Sequence, residues 1–336
     1  MFTQVDPRGI KGCFAGCLVD ALNNPTVIER ILELTGLFHV ERKVTTSALK
    51  VAYVGTALYD VPNHFEQLTR GFQERGCIVR ELCVAEVPHA RGTFQGAKNT
   101  IDLDQLHFLG EAKVILVPEG NTLYAVRRWE ETGLDVCLRA AAVRGAVLVG
   151  SGCFFDGMHC DSANPSTYAD AVRGSGAAES AENGKGQDPQ EKNGAWPYIR
   201  VHGLGILPGL LCPHHDARDA KGVLRKADFN KMLKRHSGER GLGIDCTAVL
   251  MLLGDGNYEV LVMESKEQRG DKIVEAGVQV KNVVNGVVHS STVPLRGSVK
   301  DLLITPHGPV LRDPFEVYYA MANPTGSTEK LLCLPA

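Results

Sequence analysis

Ala146-Val147-Leu148-Val149-Gly150-Ser151-Gly152-Cys153-Phe154-Phe155-Asp156-Gly157-Met158-His159-Cys160-Asp161 is the stretch from which the fold can be read. A short apolar run ends in a Gly-Ser-Gly corner and passes into a segment carrying Asp, His and Cys. A buried strand that stops at a small, sharply turned Ser is how α/β hydrolytic proteins present a nucleophile. Upstream the same punctuation repeats. Leu49 to Ala57 reads as a strand ending in Gly-Thr, and His64 to Arg75 as a helix with Phe65, Leu68 and Phe72 on one side. Gly76 closes that helix, and Cys77 to Val84 reads as the next strand. Lys113 to Val117 is a further strand with Pro118-Glu119-Gly120-Asn121-Thr122 as its exit loop. A helix through Val126 and Trp129 and another from Leu134 to Val143 precede the quoted run. Strands separated by helices of this length predict a parallel sheet covered on both faces, with ligands gathering outside the carboxyl ends of the strands.

Downstream, Gly174 to Gly194 is polar and low in complexity, and reads as a flexible surface insertion. Gly203 to Asp216 is an apolar strand that delivers Pro213-His214-His215-Asp216. Gly241-Leu242-Gly243-Ile244-Asp245 leads into Ala248 to Leu253, and Asp255-Gly256 marks a hairpin to Tyr258–Met263. Val278 to Val288, with Asn285-Gly286, predicts a second hairpin. The expected organisation is an N-terminal extension over 1–43, one α/β domain over 44–300, and a C-terminal tail over 301–336.

Bulk properties narrow the function classes. A net charge of -3 argues against a nucleic-acid binder relying on bulk electrostatics. No run approaches the roughly 20 apolar residues that span a bilayer, and Met1 to Pro7 lack the basic-then-apolar order of a secretory signal. The ten cysteines show no CxxC pairs, which predicts reduced thiols and a cytoplasmic location. No cofactor, nucleic-acid or membrane partner is expected. A homodimer is an open possibility.

From spacing alone, Ser151, His214 and an acid from Asp156 to Asp161 could form a Ser/His/Asp set. Two rivals stand beside it: Cys153 as a thiol nucleophile, and a metal site built from His159, Cys160, Asp161, His214, His215 and Asp216. Arg127-Arg128 reads as a solvated pair, or as a receiver for an acidic substrate side chain.

Five motifs in order carry a resemblance: Gly-Asn-Thr at 120–122, the Ser corner at 150–152, Asp-Gly-x-His-x-Asp-Ser at 156–162, Leu-Pro-Gly-Leu-x-Cys-Pro-His-His-Asp at 207–216, and Gly-x-Gly-Ile-Asp at 241–245. Together they resemble the aspartyl dipeptidase and cyanophycinase family of serine peptidases over residues 45–300. The resemblance implies a flavodoxin-like three-layer sandwich of the class I glutamine amidotransferase type, with a mostly parallel central sheet and here C-terminal β-hairpins. It implies hydrolysis of a small peptide or amide, with Ser151 as nucleophile, His214 as general base and Asp161 as its acidic partner. Gly120 and Gly152 would supply oxyanion N–H groups, while Asn121, His215 and Arg127 would face substrate. No metal and no cofactor are implied.

The chain departs from the family pattern at three places. The elbow is several residues shorter before Phe155-Asp156-Gly157, the Gly-rich loop carries Pro118-Glu119, and Cys246 stands where the cyanophycinase branch has Glu. Loss of one oxyanion donor costs about 3 kcal/mol of transition-state stabilisation. A relative that keeps the fold and binds a ligand or partner in the same cleft without turnover is the alternative expectation.

Overall fold

The computed structural model describes residues 6–39, 41, 44–45, 49–85, 101–150, 152–161, 198–218, 222–263 and 276–304. Ser151, the 174–194 insertion and most of the C-terminal tail lie outside the described residues, as does the side chain of Asp161.

Sixteen strands occur among the described residues. They are β1 (Lys11–Ala15), β2 (Phe38–His39), β3 (Val44–Thr45), β4 (Lys50–Tyr53), β5 (Ile78–Glu81), β6 (Val114–Leu116), β7 (Val147–Gly150), β8 (Phe155–Asp161), β9 (Tyr198–His202), β10 (Leu207–Cys212), β11 (Gly241–Ile244), β12 (Ala248–Leu253), β13 (Asn257–Val262), β14 (Val278–Val284), β15 (Val287–Thr292) and β16 (Arg296–Ser298). Helices α1 (Leu18–Leu22), α2 (Pro25–Leu34), α3 (Pro62–Gln73), α4 (Leu103–Glu111), α5 (Thr122–Thr132) and α6 (Leu134–Val143) fill the first half, and a further helix spans Arg225–Arg235.

The first sheet has the order β16-β13-β12-β1-β7-β6-β4-β5. From β5 to β1 every neighbouring pair is parallel. Beyond β1, strands β12, β13 and β16 pair antiparallel, so the sheet is mixed. In the parallel half, the sequence β5-β4-β6-β7 repeats the flavodoxin winding, with its reversal between β4 and β6. The position of a fifth strand is taken by β1, from the chain's beginning.

That placement corrects the expected N-terminal extension. Lys11–Ala15 is a central strand, with Cys13 opposite Val149 on one side and Met251 on the other. The physical reason is packing. Cys13 and Ala15 face one core while Phe14 faces the other, so removal of the strand would open both.

Strict alternation produces the two cores. Cys13, Val51, Tyr53, Val114, Leu116, Val147 and Val149 point to one face, where Ile28, Ile31, Leu68 and Phe72 of α2 and α3 cover them. Phe14, Ala52, Ile115 and Leu148 point to the opposite face, against Trp129 of α5 and Leu138 of α6. Trp129 is fully buried and its indole N–H donates to Thr56 Oγ1 at 3.0 Å.

A second sheet, absent from the expectation of a single central sheet, has the order β15-β14-β11-β10-β8-β9. The chain leaves β7, turns at Gly152–Phe154 and starts β8 apart from the first sheet. Phe154, Phe155, Leu207, Leu211 and Leu242 lie in the same core as Phe14 and Leu148, which joins the two sheets. Phe14 meets Phe155 edge-on at 5.1 Å between ring centroids. The outer face of the second sheet packs Leu210 and Cys212 on Phe229, Met232 and Leu233 of the Arg225–Arg235 helix. Both expected hairpins are present: β12–β13 extends the first sheet and β14–β15 the second.

Candidate active site

Five strand ends converge. The carboxyl ends of β1, β6 and β7 lie side by side on one edge of the first sheet and are followed by Gly16-Cys17, Val117 to Asn121 and Ser151-Gly152. In the second sheet β10 and β11 run parallel and are followed by Pro213-His214-His215 and Asp245-Cys246. A backbone bond joins the two edges, with His214 N–H donating to Gly16 O at 3.0 Å, while His215 N–H donates to Ile244 O at 3.0 Å within the second sheet.

His214 is at the centre of this edge. Its backbone adopts φ 49°, a left-handed conformation uncommon for a non-glycine residue. Its Nε2 lies 3.2 Å from Glu119 Oε2. Both side chains are partly open, 28% and 23% exposed, so a substrate can reach them. The other Glu119 oxygen accepts the Leu18 N–H at 3.0 Å at the start of α1. Glu119 is therefore both a cap for α1 and the carboxylate beside His214. The remaining ring nitrogen, Nδ1, is 3.6 Å from Cys246 Sγ. Burial pushes the Cys246 thiol up, and Asp216 adds to the shift, so the group on Nδ1 is a protonated thiol and not a thiolate. Burial also pushes Cys17 up, to about 12.

The tandem His214-His215-Asp216 splits three ways. His215 turns inward, 2% exposed, with Nδ1 at 2.9 Å from Asp245 Oδ1, and Gly277 N–H donates to the other Asp245 oxygen at 3.0 Å. A Cβ on Gly243 would stand 2.4 Å from the His215 ring, which explains the second glycine of Gly241-x-Gly243. Asp216 accepts the Cys246 N–H at 2.7 Å. His215, structural or substrate-facing by resemblance, is thus turned away from the cleft and into the fold.

The loop bearing Glu119 is fixed by backbone contact at the winding reversal. Gly120 has φ 151°, and a Cβ there would lie 2.3 Å from Ala57 O. Asn121 donates its backbone N–H to Ala57 O at 2.8 Å. The Asn121 side chain caps α5 by accepting the Tyr124 N–H at 3.0 Å, and its amide donates to Tyr59 OH at 2.9 Å. Its carboxamide oxygen and amide both hold the fold together. Arg127 is half-buried on α5. Arg128, in contrast to a solvated pair, is 1% exposed, donates to Val84 O at 2.6 Å and pairs with Glu131.

Ser151 follows Gly150, the last residue of the strand lying between β6 and β1. Gly152–Phe154 forms a turn, and Phe155 N–H donates to Gly152 O at 3.0 Å, so the chain enters β8 with no helix after the corner. Asp161 ends β8 opposite Tyr198. Cys153 is 4% exposed in the core, and burial pushes its thiol up, which leaves it inert as a nucleophile.

His159 belongs to a different system. It is fully buried, stacked on Tyr198 at 4.5 Å between ring centroids and edge-on to Phe229. Arg225 Nε–H donates to its Nδ1 at 3.3 Å, so Nε2 carries the proton and donates to Asp228 at 3.1 Å. Burial holds its pKa down at about 4 against the pull of Asp228, and the ring is neutral. The residues of the notional His/Cys/Asp metal set therefore have separate engagements: His159 with Asp228, His214 with Glu119, His215 with Asp245.

Glu119 and His214 are 95 residues apart, so spacing alone does not pair them. The signal was present in the exit loop of β6, where a carboxylate replaces a glycine.

Comparison with known proteins places the chain in a peptidase family. The family model described as Peptidase family S51 matches residues 35–260. The chain is 47% identical over 337 residues to a protein of Trypanosoma brucei brucei named G2/mitotic-specific cyclin-1, covering 100% of both. It is 24% identical over 221 residues to an uncharacterized peptidase, YgaJ, of Bacillus subtilis (strain 168), covering 64% of this chain and 74% of that one. The crystal structure of a peptidase from an acI-B1 Actinobacterium superposes with a TM-score of 0.51 at 14% identity, over 86% of this chain and 96% of the other. That last likeness bears on the fold alone.

Proposed function

On the premise that the chain belongs to peptidase family S51, we propose that it hydrolyses an amide bond of small peptides by a serine mechanism at the edge where His214 meets Glu119. The observation that carries the reading is the His214–Glu119 pair, 3.2 Å apart and partly open, on the strand-end edge that also receives Ser151. Glu119 holds Nε2–H and leaves Nδ1 as the basic nitrogen. Ser151 Oγ attacks the substrate carbonyl carbon as Nδ1 takes its proton, and the Cys246 thiol yields its place on Nδ1 to the serine hydroxyl. The imidazolium so formed is stabilised by the Glu119 carboxylate. Backbone N–H groups at Gly120 and Gly152 receive the oxyanion. Collapse of the tetrahedral intermediate passes the proton from Nδ1 to the leaving amine. A water molecule, deprotonated by the same nitrogen, then releases the acyl group from Ser151. Glu119 takes the orienting role that the family resemblance gives to Asp161.

The test is labelling by a fluorophosphonate probe, with Ser151→Ala and His214→Ala as controls. Labelling that depends on both residues is the expected result. Labelling that survives Ser151→Ala rejects the serine mechanism.

A second reading is favoured by one feature, the Gly152–Phe154 turn that leads into a strand instead of a helix. A helix starting after the nucleophile would add N–H groups and a favourable dipole to the oxyanion site. Without it, the cleft suits a family member that binds a small ligand or partner and does not turn it over. Absence of labelling in a stable wild-type chain selects this reading.

A further inference from the structure

The first sheet carries another polar cluster, on its β4–β5 side. Tyr53 and Glu81 are register partners across β4 and β5. After β4 the chain makes a short turn over Gly55–Leu58, followed by two consecutive left-handed residues, Tyr59 at φ 56° and Asp60 at φ 54°. A pair of non-glycine residues in this region is rare and needs support from its surroundings. The support is on the other side of the turn: Asp60 Oδ2 accepts the N–H groups of Val84 and Ala85, at 2.9 and 2.7 Å, just past β5. Asp60 is 4% exposed, and its other oxygen, Oδ1, has no hydrogen-bond partner among the described residues. Beside it the Tyr53 phenol is fully buried, and its hydroxyl likewise has no partner among the described residues. The charges of Glu81, its register partner, and of Asp60 and Cys83 act on that phenol. One ligand atom each from Asp60, Glu81 and Cys83 lie within 4.8 Å of one another.

A bare carboxylate oxygen and a bare phenol in a dry interior are costly, and native proteins leave few such groups without an ion, a water or a partner. A cation among the three side chains removes that cost.

We propose that Asp60, Glu81 and Cys83 form a binding site for one divalent, borderline-soft metal ion of the Zn2+ type. The donor set selects the class: a thiolate with two carboxylates suits Zn2+, whereas Mg2+ and Ca2+ take oxygen ligands. Binding displaces the Cys83 thiol proton into solvent and leaves one coordination position for water. Glu81 and Cys83 are half-buried, which gives the ion a path inward. The Tyr53 hydroxyl, within the same cluster, donates to a coordinated carboxylate as an outer hydrogen bond. Such an ion would staple the chain leaving β5 to the corner leaving β4. Tyr59, next to Asp60, receives the Asn121 amide, so the staple also braces the loop that carries Glu119. The site is separate from the His214–Glu119 pair and does not depend on the peptidase reading.

The experiment uses the full chain stripped with a chelator and titrated with Zn2+ against a competing indicator. One Zn2+ per chain is expected, with affinity reduced at least tenfold in Cys83→Ser and in Glu81→Gln. Asp60 also holds the Val84 and Ala85 backbone, so it is left intact and folding is not confounded. Co2+ in place of Zn2+ is expected to give a thiolate-to-metal charge-transfer band that Cys83→Ser abolishes. No stoichiometric uptake overturns the proposal. So does a band and an affinity unchanged in Cys83→Ser, because the metal would then sit on other thiols of the chain.

Discussion

His159 and His214 sit in the same sheet system and answer opposite physical demands. His159 is sealed between Tyr198 and Phe229, with both ring nitrogens engaged and its charge suppressed by burial. His214 lies at a strand end in a left-handed conformation, partly open, with a carboxylate on one nitrogen and only a weak thiol contact on the other. A ring with every valence met is a structural element. A ring with one strong partner and one exchangeable contact is equipped to move a proton. The difference is one of satisfaction more than of residue type, since each histidine has an acidic neighbour.

The sharpest way to break this contrast is to remove each ring in turn. His214→Ala should lower kcat/KM toward the probe peptide by about a thousand-fold while leaving the urea midpoint nearly unchanged. A fall in stability with activity retained would reverse the assignment of the two histidines. The complementary change, Asp228→Ala, strands the His159 Nε2–H in the interior and should cost about 2–3 kcal/mol of stability. Steady-state kinetics of the remaining folded protein should be little altered.

Acid provides a third probe, with a definite sign. His159 has a folded pKa of about 4, below the ordinary value of 6.5. Its stabilising contribution is complete above 6.5. As pH falls from there, the unfolded chain takes up the proton first, and the contribution is lost progressively until about 4. The span corresponds to at most roughly 3 kcal/mol. Denaturant unfolding of wild type and His159→Gln between those limits should show this slope in the wild type and a shallower one in the variant. Parallel curves would mean that the ring is not held neutral.

Much of the frame was legible in the sequence, because the apolar runs of β4, β6 and β7 and the helical spacing in α3 are local signals. Lys11–Ala15 was not legible as a central strand. It is short and rich in small residues, and its partners, Val147 to Gly150 and Val249 to Leu253, come from far along the chain. The second sheet escaped for a related reason, since no local pattern says which sheet an apolar strand joins. At the candidate site, Pro213-His214 announced the histidine. Glu119 caps α1 through the Leu18 N–H, but its second oxygen reaches His214 through tertiary approach alone. Asp60, Glu81 and Cys83 form no spaced motif, because their meeting depends on a left-handed corner.

Glu119→Gln tests the carboxylate in isolation. The amide oxygen can still accept the Leu18 N–H, so the α1 cap survives and only the charge beside Nε2 is removed. Without it the imidazolium of the transition state loses its counter-charge, and kcat should fall roughly thirty-fold with KM little changed. An unchanged kcat would separate Glu119 from the proton transfer and return it to a purely structural role.

The smallest effect belongs to Asn121, which sits two residues from Glu119 but on the structural side of the contrast. Its carboxamide oxygen caps α5 and its amide donates to Tyr59 OH, so both ends of the side chain are engaged in the fold. Asn121→Ala should therefore cost about 1 kcal/mol of stability, the usual value of a lost N-cap. Asn121→Asp separates the two bonds: the cap to Tyr124 N–H is retained and the donation to Tyr59 OH is lost. If the side chain serves only the fold, the aspartate variant should recover most of the lost stability, and both variants should keep the wild-type KM. A rise in KM in the alanine variant, with stability intact, would instead put Asn121 in contact with substrate. That result would extend the functional edge from His214 and Glu119 around the winding reversal to the start of α5.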